Sequence, residues 1–260
     1  MILFNDTPYP INEFSEESLK NGLTIYEVIR ILNKQPIFLK DNLMRLDNSL
    51  KKSNIDIDVT SLKIPDKLKR LIDLQQIEEG NIKYVLHFGQ DQIKEYVYQI
   101  PHHYPNAQDY KNGVPTITYA TMRANPSVKY LNENLRALTN QLILEYQVYE
   151  ILLVDNEGFV TEGSRSNVFF IKENKLYTSP LEYVLPGTSR KRVFDICHEH
   201  QIPVIEQRIN SKYLEEYESA FLTGTSPLIL PICLINSIKF SVNTPFLRQL
   251  MNNYFDLLKK

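Results

Sequence analysis

The sequence predicts a mixed α/β protein built as two subdomains, and three observations carry that expectation. Strand-like and helix-like runs are interspersed along the chain without strict βαβ alternation, which points to mixed sheets. The stretch "PHHYPNAQDYKNG" (101–113) is proline-bearing, polar and aperiodic, which marks it as a linker between a smaller N-terminal domain at 1–110 and a larger C-terminal domain at 114–260. The 260 residues suffice for one large or two moderate domains around a substantial core.

The first half opens with "LTIYEVIRIL" (23–32), rich in β-branched residues and followed by "NKQP", so it reads as a strand ending in a turn. "DNLMRLDNSLKK" offers Asp41 as an N-cap and repeats Leu43, Leu46 and Leu50 at helical spacing. In "PDKLKRLIDLQQIEEG" Pro65 opens a second helix and Gly80 closes it. Strands at "IKYVLHF" (82–88) and "EYVYQI" (95–100) follow.

Past the linker come a strand at "TITYATM" (116–122), a loop at "RANPSVK", and a helix from Tyr130 to Tyr146 with Leu131, Leu135, Leu138, Leu142 and Tyr146 on one face. "ILLVD" (151–155) and "NVFFI" (167–171) are buried-strand candidates joined through an Asn-Glu-Gly turn, and the intervening "TEGSRSN" has the look of a polar bulge. "LPGTSRKRVFDICHEH" is a turn running into a helix, "AFLTGTSPLILPI" a strand running into a polar loop, and "FLRQLMNNYFDLLKK" a closing helix.

Composition narrows the partners. With 29 Lys and Arg against 31 Asp and Glu the net charge is −2, so no global field favours nucleic acid or an anionic membrane, and a small molecule is the default partner. The N-terminus has no basic region followed by a signal-length apolar run, and the most apolar tract, "PLILPICLI", is short and broken by proline. The two cysteines, Cys197 and Cys233, have no metal-ligand spacing and read as small core hydrophobes in a reducing cytoplasm.

Chemistry concentrates where the scarce glycines stand beside hydroxyls. In "VLPGTSRKRV" Gly187 frees the backbone, and Thr188 and Ser189 fall at the first turn of a helix, where unpaired N–H groups and the positive dipole end collect. That is an anion site in waiting, although on this segment alone a simple cap by Thr188 or Ser189 is the favoured reading. "FLTGTSP" (221–227), with Thr225, supplies a second Gly-hydroxyl loop, and two such loops can share one phosphate. Neither has the spacing of a P-loop or a dinucleotide fingerprint. Arg45 lies off the leucine stripe of its helix and by itself reads as a surface arginine. Lys129 lies where a proline loop meets an apolar-faced helix, and a partly desolvated ammonium there is suited to Schiff-base chemistry.

In order, "NGLTIYEVIR", "NLMRL", "NPSVKYLN", "DNEGFVTEGSRSNVFFI", "YTSP", "VLPGTSRKRV" and "FLTGTSPLILPI" resemble the class IV aminotransferases, the fold-type IV pyridoxal phosphate enzymes that include branched-chain and D-amino acid aminotransferases and 4-amino-4-deoxychorismate lyase. These segments span residues 22–232. The resemblance implies a two-domain enzyme like D-amino acid aminotransferase, a homodimer with pyridoxal 5'-phosphate as cofactor and amino acids and 2-oxo acids as substrates. It implies Lys129 as the lysine that forms the Schiff base, Glu162 as the carboxylate on the pyridine nitrogen, and Arg45, Thr188, Ser189 and Thr225 as phosphate ligands. Leu185 would pack against the ring, and Ser166 and Asn167 would line its margin. Tyr26 corresponds to a family position that often faces the substrate, and Arg30 lies on the same strand face two pleats along; a buried structural role suits both at least as well.

The sequence also departs from the family. No Arg-x-His pair follows the strand at 82–88, Asn134 stands where the branched-chain enzymes have tyrosine, and the Gly-Asp-Gly before the first long strand is reduced to "KNG". Three readings follow: an aminotransferase, an aminodeoxychorismate lyase using the same lysine and cofactor, and a non-catalytic binding protein of the same fold. The last needs neither Lys129 nor Glu162.

Overall fold

A computed structural model of the chain describes residues 1–19, 21–90, 92–102 and 104–258. Its contacts divide it into two compact units, Met1–His103 with Val128–Leu131, and Tyr104–Ser127 with Asn132–Lys260.

In the first unit six strands form one antiparallel sheet: β1 (Ile2–Phe4), β2 (Thr7–Tyr9), β3 (Leu23–Leu32), β4 (Gln35–Pro36), β5 (Glu79–Phe88) and β6 (Ile93–Ile100), in the order β2-β1-β6-β5-β3-β4. Asn33 and Lys34 take left-handed φ of 50° and 61° and close the two-residue turn between β3 and β4, as the "NKQP" signal suggests. Alternation along β3 sends Ile25, Ile29 and Ile31 into a core with Leu46 and Leu50 of α1 (Leu39–Lys52) and Leu68, Leu71 and Ile72 of α2 (Ile64–Gln75). The opposite sheet face gathers Tyr26, Val85, Tyr96 and Tyr98.

Two boundaries differ from the expected ones. Helix α1 starts at Leu39 after Phe38, whose φ is 54°, so Asp41 falls inside the first turn, where the dipole favours an acid, instead of capping the helix. Helix α2 ends at Gln76 in the left-handed conformation. Gly80 ends no helix; it sits in β5 opposite Ile31.

The second unit holds β7 (Val114–Ala120), β8 (Glu150–Val154), β9 (Phe159–Gly163), β10 (Asn167–Lys172), β11 (Lys175–Thr178), β12 (Val204–Glu206), β13 (Ile209–Asn210), β14 (Ser219–Gly224), β15 (Leu228–Ile235) and β16 (Ile238–Lys239). The order is β12-β11-β10-β14-β15-β7-β8-β9-β13 with β16 on β15; the pairs β11–β12, β15–β7 and β7–β8 are parallel and the rest antiparallel. Four helices accompany it: α3 (Ala107–Asn112), α4 (Glu133–Tyr146), α5 (Thr188–Glu199) and α6 (Pro245–Leu257). One sheet face packs Leu152, Val168, Phe170, Leu222 and Leu230 together. On the other, the rings of Phe169 and Phe221 stack at 5.1 Å, and Phe169 meets Phe194 of α5 edge-on at 6.0 Å.

The stretch expected to be irregular at 101–113 carries α3, because Asn106 and Asp109 form a reciprocal capping box. Helix α4 begins at Glu133, capped by the Asn132 side chain, so Tyr130 and Leu131 are extended and lie along β3 of the first unit's sheet. Leu135 and Leu142 are buried as expected, but Tyr146 is exposed. The closing helix ends at Leu257, and Lys259 and Lys260 lie outside the described residues. Among the described residues no helix is long and apolar enough to cross a membrane.

Candidate active site

In the first unit β3 and α1 hold the Lys129 backbone, with Tyr26 beside it. The Tyr26 N–H donates to the Lys129 carbonyl (3.1 Å), the Leu131 N–H to the Thr24 carbonyl (2.8 Å), and the Lys129 N–H to Ser49 Oγ (3.2 Å). These bonds fix the Lys129 backbone and leave its side chain half-buried, with Nζ 4.9 Å from the centre of the Tyr26 ring. Arg45 lies one helical turn before Ser49 on α1. It is not a surface arginine: it is 6% exposed, its Nε donates to Glu27 Oε1 (2.8 Å) and its Nη2 to Glu27 Oε2 (2.5 Å). Glu27 also accepts from Asn42 Nδ2 (2.9 Å). Glu27 stands between Ile25 and Ile29 in the core-facing register of β3, and a carboxylate buried there requires a cation. Arg30, on the Tyr26 face, donates from Nη2 to Glu79 Oε1 (2.9 Å).

In the second unit β9 delivers Glu162, 2% exposed. Arg123 Nε donates to its Oε1 (2.7 Å) and the Leu185 N–H donates to its Oε2 (3.0 Å), while Arg123 Nη2 reaches the Ser164 carbonyl (3.4 Å). Asn167 Nδ2 donates to the Leu185 carbonyl (3.0 Å), so Leu185 is held at both its N–H and its carbonyl by Glu162 and Asn167. Ser166 and Ser164 donate to the buried Glu150, at 3.1 and 2.5 Å, and the Gly163 N–H closes the turn onto the Ser166 carbonyl (2.8 Å). A Cβ at Gly163 would collide with Ser166 Oγ, which accounts for the glycine directly after the acid. The run "TEGSRSN" is therefore the end of a strand and a locked turn.

Thr188 and Ser189 are the first two residues of α5, both buried, and Gly187 occupies the cap position with no side chain to offer. Neither hydroxyl caps the helix, and its first turn carries no acid, so no side chain of the helix offsets its positive end. A Cβ at Gly187 would run into Asn167 Oδ1. Thr225 is half-buried in the turn after β14. Thr223, opposite Asn167 across the β10–β14 pair, shares the face of Phe221 that α5 covers; it is 1% exposed, and its hydroxyl has no hydrogen-bond partner among the described residues.

Three of these groups escape sequence reasoning. Glu27 had a visible signal, a charge in the core register of an alternating strand. Arg123, one basic residue in a proline loop, and Thr223 had none.

Pyridoxal phosphate carries a phosphate dianion, a basic ring nitrogen and an aldehyde, and the donor set fits each. In the second unit the uncapped α5 terminus and the orphaned Thr223 hydroxyl have the chemistry for a phosphate and Glu162, paired with Arg123, that for a basic ring nitrogen; in the first unit Lys129 is an amine suited to an aldehyde and Arg45 a buried cation suited to a phosphate.

The family model for amino-transferase class IV matches residues 24–235. The chain belongs to the class IV aminotransferase family. It is an enzyme of that type with that family's mixed α/β fold, and the family is pyridoxal phosphate-dependent. Over 245 residues the chain is 27% identical to a D-alanine aminotransferase of Bacillus licheniformis, covering 90% of this chain and 86% of that one. It superposes on a T.th. branched-chain amino acid aminotransferase solved with pyridoxamine 5'-phosphate with a TM-score of 0.84 at 23% identity, covering 98% of this chain and 92% of that one. It also superposes on a Legionella pneumophila protein assigned as a 4-amino-4-deoxychorismate lyase, with a TM-score of 0.79 at 24% identity over 97% and 95% of the two chains. At these identities the two superpositions speak for the fold alone.

Proposed function

We propose that this class IV enzyme is a pyridoxal phosphate-dependent aminotransferase that moves an amino group between an amino acid and a 2-oxo acid. The observation that carries the reading is Glu162: a carboxylate 2% exposed, held ionised by Arg123 and fixed by the Leu185 N–H, is suited to keeping a proton on a ring nitrogen. When bound, pyridoxal phosphate supplies a sink for the electrons left at the substrate Cα. Lys129 would hold the cofactor through its amine, and its Nζ would carry the proton from the substrate Cα to the cofactor's C4′ carbon. Arg45, Thr188, Ser189 and Thr225 bind the phosphate, and Leu185 packs against the ring. Asn167 and Ser166 act on that wall through the Leu185 carbonyl and Glu150. Tyr26 and Arg30 are assigned to the substrate side. The free cysteines suit a cytoplasmic enzyme, and a homodimer accords with the family resemblance.

A second reading, aminodeoxychorismate lyase, is favoured by two departures from the aminotransferase pattern. Asn134, where the branched-chain enzymes carry tyrosine, is an exposed residue in the first turn of α4, and no Arg-x-His pair follows β5. Presenting single L- and D-amino acids to the loaded enzyme separates the two. Conversion of the cofactor to its aminated form establishes transamination and its stereochemistry. Inertness to every amino acid with release of 4-aminobenzoate from aminodeoxychorismate establishes the lyase, and inertness to all of these substrates contradicts both.

A further inference from the structure

We infer that Arg123 is a positioning residue that keeps the proton shared between Glu162 and the cofactor's ring nitrogen on the nitrogen, an inference that rests on the proposed pyridoxal phosphate chemistry. A buried carboxylate facing a pyridine shares one proton with it in two ways, as carboxylate with pyridinium or as carboxylic acid with neutral pyridine. Away from water neither charge is hydrated, and the neutral form gains. A fixed cation on the carboxylate stabilises only the charged form, and a guanidinium cannot lose its own proton in exchange.

The geometry supplies that cation. Arg123 Nε donates to Glu162 Oε1 at 2.7 Å, with side-chain exposures of 11% and 2%, so water and salt screen the pair little. The same edge of the guanidinium reaches the Ser164 carbonyl through Nη2, which ties the Arg123 head to the turn that follows Glu162. The second oxygen, Oε2, accepts the Leu185 N–H at 3.0 Å. Held from both sides, the carboxylate is fixed about its last torsion. Arg123 is thus tied to the charge state and the orientation of Glu162.

Charge and geometry are separated by two variants. Arg123→Met removes both, whereas Arg123→Lys keeps a cation and loses the two-point edge. Each is reconstituted with pyridoxal phosphate carrying a nitrogen-15 label in the ring. The ring nitrogen resonance reports where the proton sits, and equilibrium dialysis of the apoprotein reports cofactor affinity. We expect a protonated ring nitrogen in the wild type and in Arg123→Lys, and an unprotonated one in Arg123→Met. Cofactor Kd should rise about ten-fold in Arg123→Met and about five-fold in Arg123→Lys. A protonated nitrogen with a Kd within about two-fold of wild type in both variants overturns the inference. Should Arg123→Met fail to fold, the Kd of Arg123→Lys decides alone, an unchanged value counting against. A wild-type protein that binds no pyridoxal phosphate overturns the functional reading itself, and this inference with it.

Discussion

Among the described residues each unit holds an arginine–carboxylate pair in which both side chains are at most 11% exposed, and the two pairs are built differently. In the first unit Glu27 takes two donors from Arg45 and a third from Asn42, with both oxygens engaged in a bidentate clasp between β3 and α1. In the second, Glu162 takes one donor from Arg123 and one from the backbone of Leu185. Glu27 is assigned the part of holder, fixing the guanidinium of Arg45, and Glu162 the part of the group held, by Arg123 and the Leu185 N–H. One interaction type thus presents a buried cation in one unit and a buried carboxylate in the other, the parts the proposed function gives to Arg45 and Glu162.

That contrast is broken or sharpened by substitution. The largest effect is expected from Glu162→Gln, whose amide still accepts from Arg123 but cannot carry the charge that keeps the ring nitrogen protonated. Turnover should fall about 100-fold or more with the fold intact, measured by steady-state kinetics beside a melting curve. Near-normal turnover would remove Glu162 from its role. The mirror variant, Glu27→Gln, should act on stability instead: leaving Arg45 without its buried counter-charge costs about 3–5 kcal/mol. If Glu162→Gln lowered the melting temperature more than Glu27→Gln, the assignment of holder and held would be reversed.

A smaller change tests the link from β10 to α5. In Gly187→Ala the new Cβ meets Asn167 Oδ1 and should dislodge the amide from the Leu185 carbonyl, destabilising the protein by about 1–3 kcal/mol in urea titrations. Smallest is a pH effect in the first unit. Burial, and after it the charge of Lys94, hold the His87 ring below its ordinary pKa, with Nδ1 2.8 Å from Thr24 Oγ1. The unfolded chain takes up a proton near the usual histidine value of about 6.5, which the folded ring resists. His87 therefore contributes stability above that pH and loses it as the pH falls further. The fall in stability between about pH 7 and 5 should be shallower in His87→Gln than in the wild type. Equal slopes would contradict the burial assigned to this ring.

Local signals decided how much of this was legible. Strand β3 and its turn were visible because alternation and "NKQP" agree. The end of α2 was not, since Gln76 adopts the left-handed conformation that Gly80 was expected to supply. Leu131 fits the stripe of α4, yet its N–H is bonded to Thr24, so a long-range pairing overrode the helical pattern. Lys129 and Glu162 were assigned through family motifs. Arg45 looked like a surface residue because its partner lies 18 positions earlier in a different element, and Arg123 stayed invisible because its carboxylate lies 39 positions later.

The central claim, that Lys129 carries pyridoxal phosphate, is tested most directly by reconstituting the protein with the cofactor, reducing it with borohydride and mapping the modified peptide. The account predicts one pyridoxyl group per chain, on Lys129. Absence of incorporation, or modification confined to another lysine, would contradict it.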